Sequence, residues 1–352
     1  MNSPEPLVEV RGLTVQYHRG RRRAPVTALS AVDITLLPGR TVSVVGESGS
    51  GKSTLGNAIL GLVPPTAGSI RFRGEDITHL GTARRRELTQ HVQAVFQNPQ
   101  ASLNPQRTIG QTLEEPLLAH RSMNRSQRRT EVATALTRVG LDAAAAARYP
   151  AHFSGGQLQR IAIARALMLS PSVIICDEAV SALDLSIQAQ ILNLLADLQR
   201  ELGLTYLFIS HDLAVVRHIS DRVAVLYRGQ LMETGTAADV CDRPAHPYTR
   251  ALLAAAPVPD PAEQRGRTVQ VAPSPALQAV ASEAGCPYRP RCPHAIDKCA
   301  QPLPARQKPS GIVACHRYGE LGQPAAPPAD RAPENPPDHN PFPLAANPRS
   351  LT

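Results

Sequence analysis

The sequence predicts an α/β fold with a mostly parallel sheet and helices on its faces. Three observations predict it. The runs Thr41–Val45, Val173–Cys176 and Thr205–Ile209 are short, apolar and rich in β-branched residues, as buried strands are. Between the second and third, Ile187, Ile191, Leu194, Leu195 and Leu198 recur at helical spacing. The first run ends in a glycine-rich turn, after which Leu55–Val63 reads as a helix. Strand, loop and helix in alternation build a parallel sheet with covered faces.

The turn after the first strand carries the first chemistry. Gly46, Glu47, Ser48, Gly49, Ser50, Gly51, Lys52, Ser53 and Thr54 match the pattern G-x-x-x-x-G-K-[ST]. Its glycines let consecutive backbone N–H groups converge on phosphate oxygens, and the dipole of the following helix adds positive potential. Lys52 is placed to reach the β and γ phosphates of ATP, and the Ser53 hydroxyl to ligate Mg²⁺. Kinases, GTPases, helicases and transporters all use such a loop, so other residues must decide the class.

The second strand ends in an acid pair, Asp177 and Glu178. A nucleotide hydrolase needs one carboxylate for the metal, which suits Asp177, and one to orient or deprotonate water, which suits Glu178. Ahead of this strand, Phe153-Ser154-Gly155-Gly156-Gln157 directly precedes the apolar helical stretch Leu158–Leu169. Ser154 and the backbone of Gly155, Gly156 and Gln157 make a second anion-binding helix start. One nucleotide does not need two cradles on one chain. The second therefore serves ATP held by another subunit, in a head-to-tail pair enclosing two nucleotides. No motif repeats, so one chain carries one nucleotide-binding unit.

Bulk composition sets outer bounds. The 352 residues, 42% of them hydrophobic, allow two domains and at least one buried core. The formal charge of +8 is spread over short clusters such as Arg21–Arg23 and Arg84–Arg86, read as solvated surface in preference to a lipid-facing or nucleic-acid-binding patch. No apolar run is long enough to span a bilayer, and Met1–Val10 lacks the pattern of a secretory leader, so a cytosolic location is expected. Six cysteines in that compartment are thiols or metal ligands, not a disulfide framework.

Gly46–Thr54, Gln97, Ser154–Gln157, Asp177 with Glu178, Ser181–Asp184 and His211 stand in the order typical of ABC transporter ATPases, and residues 7–257 resemble that family. The resemblance implies a P-loop NTPase (RecA-like) core with an antiparallel β subdomain and a helical signature subdomain. It further implies that Gln97 senses Mg²⁺ and the attacking water while contacting a membrane subunit. His211 would hold the γ phosphate, Asp184 would cross to the partner subunit, and the Tyr17 ring would stack on adenine. One departure is visible: Ala179 follows Glu178 where many members carry proline, which would stiffen the turn.

Phe96–Pro105, Ser181–Gln190 and His246-Pro-Tyr-Thr249 look like the ATPases of oligopeptide, dipeptide and nickel importers. That likeness implies two integral permease subunits, a second ATPase subunit, identical or related, and an extracytoplasmic solute-binding protein. It places the chain peripherally on the cytoplasmic face of the cell membrane. A soluble ABC ATPase acting on nucleic acid is the rival, encouraged only by the basic balance; no nucleic-acid partner is expected.

The organisation that follows is a nucleotide-binding domain over 1–257, a cysteine-bearing extension over 258–322 and a Pro-rich disordered tail over 323–352. In the extension, five residues separate Cys286 from Cys292, six separate Cys292 from Cys299, and fifteen separate Cys299 from Cys315. These spacings are loose for zinc, whose ligands come in close pairs, whereas four thiolates can hold an iron-sulfur cluster. Some peptide-importer ATPases are understood to do so with a similar pattern. A [4Fe-4S] cluster, zinc and plain thiols all remain open at this point. Cys176 reads as a small core residue at a strand end.

Overall fold

The computed structural model describes residues 5–18, 24–255 and 285–322. The basic cluster Arg21–Arg23 and the tail expected from Gln323 onward lie outside the described residues. Two sheets organise the chain. The smaller is antiparallel, ordered β2-β1-β4-β5, from β1 (Val8–Tyr17), β2 (Val26–Leu36), β4 (Ala67–Phe72) and β5 (Glu75–Asp76). The larger has eight strands, ordered β11-β12-β10-β9-β3-β8-β7-β6. Its parallel part comprises β3 (Thr41–Val45), β6 (Val92–Phe96), β7 (Val173–Asp177), β8 (Thr205–Ser210) and β9 (Arg222–Tyr227).

These parallel strands are apolar because both faces are covered. Every residue of β3 and β8 is buried. Successive side chains point to opposite cores, as a period of two requires. Ile174, Cys176, Tyr206 and Phe208 enter a core with the helices. Val173, Ile175, Leu207 and Ile209 enter another, shared with the antiparallel sheet. Each fully buried aliphatic side chain contributes about 1.5–3 kcal/mol by leaving water. The one polar group among them, the Tyr206 hydroxyl, donates to Leu195 O at 3.0 Å. Cys176 is fully buried and its thiol is pushed up to about 12 by that burial, as befits an inert core residue.

Helix boundaries differ from the sequence expectation for identifiable reasons. The helix after the phosphate loop, α1, spans Lys52–Leu60 and not Leu55–Val63. Lys52, Ser53 and Thr54 already form its first turn. Gly61 ends it in a left-handed cap, its N–H bonded to Ala58 O, so Leu62 and Val63 prolong the apolar run but not the helix. Next come α2 (Thr82–Leu88) and α3 (Pro99–Ser102), then a helical layer of α4 (Ile109–His120), α5 (Arg125–Arg138) and α6 (Gly155–Leu167). α6 starts three residues before the expected Leu158. Ser154 and Gln157 close a capping box there: the Gln157 N–H donates to Ser154 Oγ at 3.4 Å, and the Ser154 N–H to Gln157 Oε1 at 3.0 Å. Leu113, Leu117, Leu136 and Ile161 lock the layer together.

Helix α7 (Leu185–Leu202) follows, buried along Ile191, Leu192, Leu195 and Leu198, and then α8 (Leu213–Ile219). After β10 (Gln230–Thr236) come α9 (Ala237–Asp242) and α10 (Pro247–Ala255). Residues 285–322 then return to the main sheet. Their hairpin, β11 (Arg306–Lys308) and β12 (Gly311–Val313), pairs with β10 through Glu233 and Val313. An ion pair anchors it. Glu233, fully buried, accepts from Lys308 Nζ at 2.6 Å and from the N–H groups of Ala245 and His246. Such saturation of a buried carboxylate offsets its desolvation.

Candidate active site

The loop after β3 delivers its donors as the sequence spacing requires. Gly51 caps α1 at φ 106, and a Cβ there would sit 2.5 Å from Ala28 O, so only glycine fits. No side chain caps α1, which leaves its first-turn N–H groups free for a ligand. Ser50 Oγ is buried without a hydrogen-bond partner, so it too is available. Lys52 is almost wholly buried, its Nζ donating to Gly46 O at 2.8 Å and Glu47 O at 3.0 Å. Burial pushes its ammonium down, while Glu178, Asp177 and Glu47 pull it up.

Across from α1, Ser53 Oγ donates to Asp177 Oδ1 at 3.0 Å, so both expected Mg²⁺ ligands converge. Burial raises the Asp177 carboxyl and Glu178 adds to this, against the Ser53 hydrogen bond and Lys52. Glu178 takes the left-handed backbone region at φ 49, a strain of about 1 kcal/mol for a non-glycine residue. The turn is held without proline. The Glu178 N–H donates to Ile209 O at 3.0 Å, and Ser181 donates to Glu178 O from its N–H at 3.1 Å and its Oγ at 3.0 Å. Ala179, in the proline position, is buried in the helical core.

His211 Nδ1 lies 3.6 Å from Glu178 Oε1, with the imidazole half exposed and the carboxylate mostly covered. Gln97, at the end of β6, donates from Nε2 to Ser181 Oγ at 3.2 Å. Ser181 thereby links the Gln97 loop to the backbone of the acid turn. Ser181 opens a stretch that already carries the family resemblance, but its linking role shows only in these contacts. Tyr17 is 40% exposed with its hydroxyl 3.4 Å from that of Thr54, which leaves its ring at the edge of the phosphate loop.

The second helix start stands on its own. A Cβ on Gly155 would make only an ordinary contact, with Leu183 Cδ2 at 3.9 Å, whereas a Cβ on Gly156 would meet Ile187 Cγ2 at 2.5 Å. The second glycine is thus fixed by packing of α6 on α7 as well as by the need for a bare backbone. Asp184 caps α7 through the Ile187 N–H at 3.0 Å, which with the Ser186 hydroxyl holds its carboxyl below the usual range. These bonds are local to α6 and α7, and Ser154, Gly155 and Gln157 are exposed while Gly156 is partly buried.

A phosphate loop, a paired acid turn and a helix-start cradle on a parallel sheet define a P-loop ATPase. Residues 29–181 match the model of the ABC transporter family, and residues 232–299 that of the oligopeptide/dipeptide transporter C-terminal region. The oligopeptide transport ATP-binding protein OppF of Salmonella typhimurium is 49% identical over 284 residues, 80% of this chain and 85% of that protein. The di/tripeptide transport ATP-binding protein DppF of Pseudomonas aeruginosa is 46% identical over 319 residues, covering 89% and 98%. Among solved structures, the dimeric post-hydrolysis state of the ATP-binding cassette MJ0796 bound to ADP and Pi is similar at a TM-score of 0.60. It shares 31% identity over 65% of this chain and 98% of that one. The chain belongs to the ABC transporter family as one of its ATP-binding subunits, and its enzymatic class is ATPase.

Proposed function

We propose that this ATPase powers the import of peptides. The observation that carries the reading is the match of residues 232–299 to the oligopeptide/dipeptide C-terminal region, beside relatives named for oligopeptide and di/tripeptide transport. Those names favour peptides over nickel, and nothing beyond net charge favours nucleic acid. Among the described residues no helix is long and apolar enough to cross a membrane. The chain then acts peripherally, on the cytoplasmic face, against two permease subunits served by an extracytoplasmic solute-binding protein. An open groove lined by Leu62, Phe96, Gln97, Pro116 and His120 supports such docking, since it exposes Leu62 and Phe96 beside the Gln97 loop. Deleting the gene should abolish uptake of labelled di- or oligopeptides, with recovery on re-expression. Unchanged uptake, or co-purification with permeases that carry another solute, would refute the peptide assignment.

In this reading Gly46–Thr54 would bind the triphosphate of ATP, Tyr17 would pack on adenine, and Ser53, Asp177 and Gln97 would hold Mg²⁺, which would neutralise phosphate charge. Glu178 orients the attacking water and His211 contacts the γ phosphate. The partner's site is completed by Ser154, Gly155, Gly156, Gln157 and Asp184. Gln97, through Ser181, passes the state of the acid turn to the permease.

We further propose that the four cysteines of the extension hold a [4Fe-4S] cluster, with zinc as the alternative. Cys286, Cys292, Cys299 and Cys315 line one small pocket together with His246, His294, His316, Arg289 and Arg317 and no carboxylate, surroundings suited to a net negative metal-thiolate group. Among the described residues no group of three or more histidine, cysteine or carboxylate side chains is placed to hold a metal ion, so the proposal rests on the cysteine spacing and on the shared pocket. A cluster spaces its thiolates more widely than one zinc does. Burial raises Cys286 and Cys292 to about 11, so without a metal they are neutral thiols. An anaerobic preparation should contain about four iron and four sulfide per chain. Folded protein lacking both would remove the cluster, and stoichiometric zinc would replace it.

A further inference from the structure

Residue 47 of the phosphate loop is a glutamate, a costly choice beside a triphosphate. Its carboxylate acts on the Lys52 charge, so it lies within electrostatic reach of the groups that receive the phosphates. The backbone beneath it is anchored. Its backbone N–H donates at 2.9 Å to the hydroxyl of Tyr248, which is almost fully buried. Tyr248 packs against Tyr227 and Tyr288, with ring centroids 4.5 and 5.3 Å away. Tyr288 belongs to the cysteine-bearing segment, two residues after Cys286. From that segment Arg291 reaches the loop, its Nη1 2.8 Å from Glu47 Oε2 and its guanidinium 5.8 Å from the Tyr288 ring centre.

We infer that Arg291 is a positioning and charge-compensating residue for nucleotide binding: supplied by the C-terminal extension, it neutralises the Glu47 carboxylate that would otherwise repel the phosphates of ATP. The extension is then part of the nucleotide site, and its docking sets ATP affinity. The pair is half exposed, at 45% and 40%, so screening limits its effect to a modest factor.

The test is a thermodynamic cycle on the full chain, read by titration with a fluorescent ATP analogue (MANT-ATP) and by KM and kcat for ATP. Arg291→Gln should raise Kd and KM about three- to tenfold with kcat within about twofold of wild type. Arg291→Lys, which keeps the charge, should recover most of the affinity. Glu47→Gln should bind at least as tightly as wild type, and adding Arg291→Gln to it should change nothing further. A merely structural arginine would cost the same affinity in both backgrounds, and that result overturns the inference, as does no loss in either. Arg291→Met, which keeps the stem over Tyr288, accompanies Arg291→Gln. Failure of both to fold would assign Arg291 to the fold and overturn it as well.

Discussion

Replacing Glu178 with Gln should lower ATP hydrolysis by about 10²- to 10³-fold while leaving ATP binding intact, because general-base assistance supplies a factor of that order. The substitution is nearly isosteric, and the turn that holds the residue is fixed through its backbone, by Ile209 O and by the two donors of Ser181. The amide keeps hydrogen bonding to water but cannot take up a proton. ATP bound between this loop and a partner's Ser154–Gln157 cradle should then persist, so the variant should accumulate as an ATP-bound dimer or closed complex in size-exclusion chromatography. Retained hydrolysis would take the water-orienting role from Glu178 and give it to His211, whose Nδ1 lies 3.6 Å away.

How much of this was legible in the sequence depended on whether a signal was local. The phosphate loop, the acid pair and the three buried strands are each written in contiguous residues, and the parallel sheet brings the loop to the acid pair, Ser53 lying 3.0 Å from Asp177. Parallel strands buried on both faces leave continuous apolar runs that need no partner to be recognised. The helix ends were less legible. Leu62 and Val63 continue the apolar pattern past Gly61, whose left-handed cap stops α1, and the capping box at Ser154 starts α6 three residues ahead of the apolar stretch at Leu158. The contacts that support Gln97 and Glu47 were not legible. Gln97 meets Ser181 across 84 residues of chain and Arg291 meets Glu47 across 244, in pairs with no spacing rule. Likewise the return of residues 285–322 to the main sheet rests on short strands and on a buried Glu233–Lys308 pair whose members look like surface charges in sequence. In the sequence alone Gly156 reads as a bare-backbone glycine. Ile187, from the next helix, is a second reason for it that only packing could disclose.

The Lys52 ammonium should account for the other large effect. Lys52→Ala should weaken ATP binding about 10²-fold, as expected for loss of charge-assisted hydrogen bonds to phosphate in a covered site. The fold should survive. The lysine is only 4% exposed and its burial already disfavours the charge, so removing it relieves a desolvation cost while freeing two loop carbonyls, those of Gly46 and Glu47. These terms oppose each other, and the melting temperature should move by only a few degrees in either direction. Lys52→Arg separates charge from shape. A guanidinium keeps the charge but is too broad for a slot that holds Nζ at 2.8 and 3.0 Å from backbone oxygens, so it should bind ATP nearly as poorly as the alanine variant. Titration and thermal melting on the same samples decide the matter. If arginine restores affinity, the loop reads charge alone; if affinity falls only with the melting temperature, Lys52 holds the loop together and does not grip the phosphates.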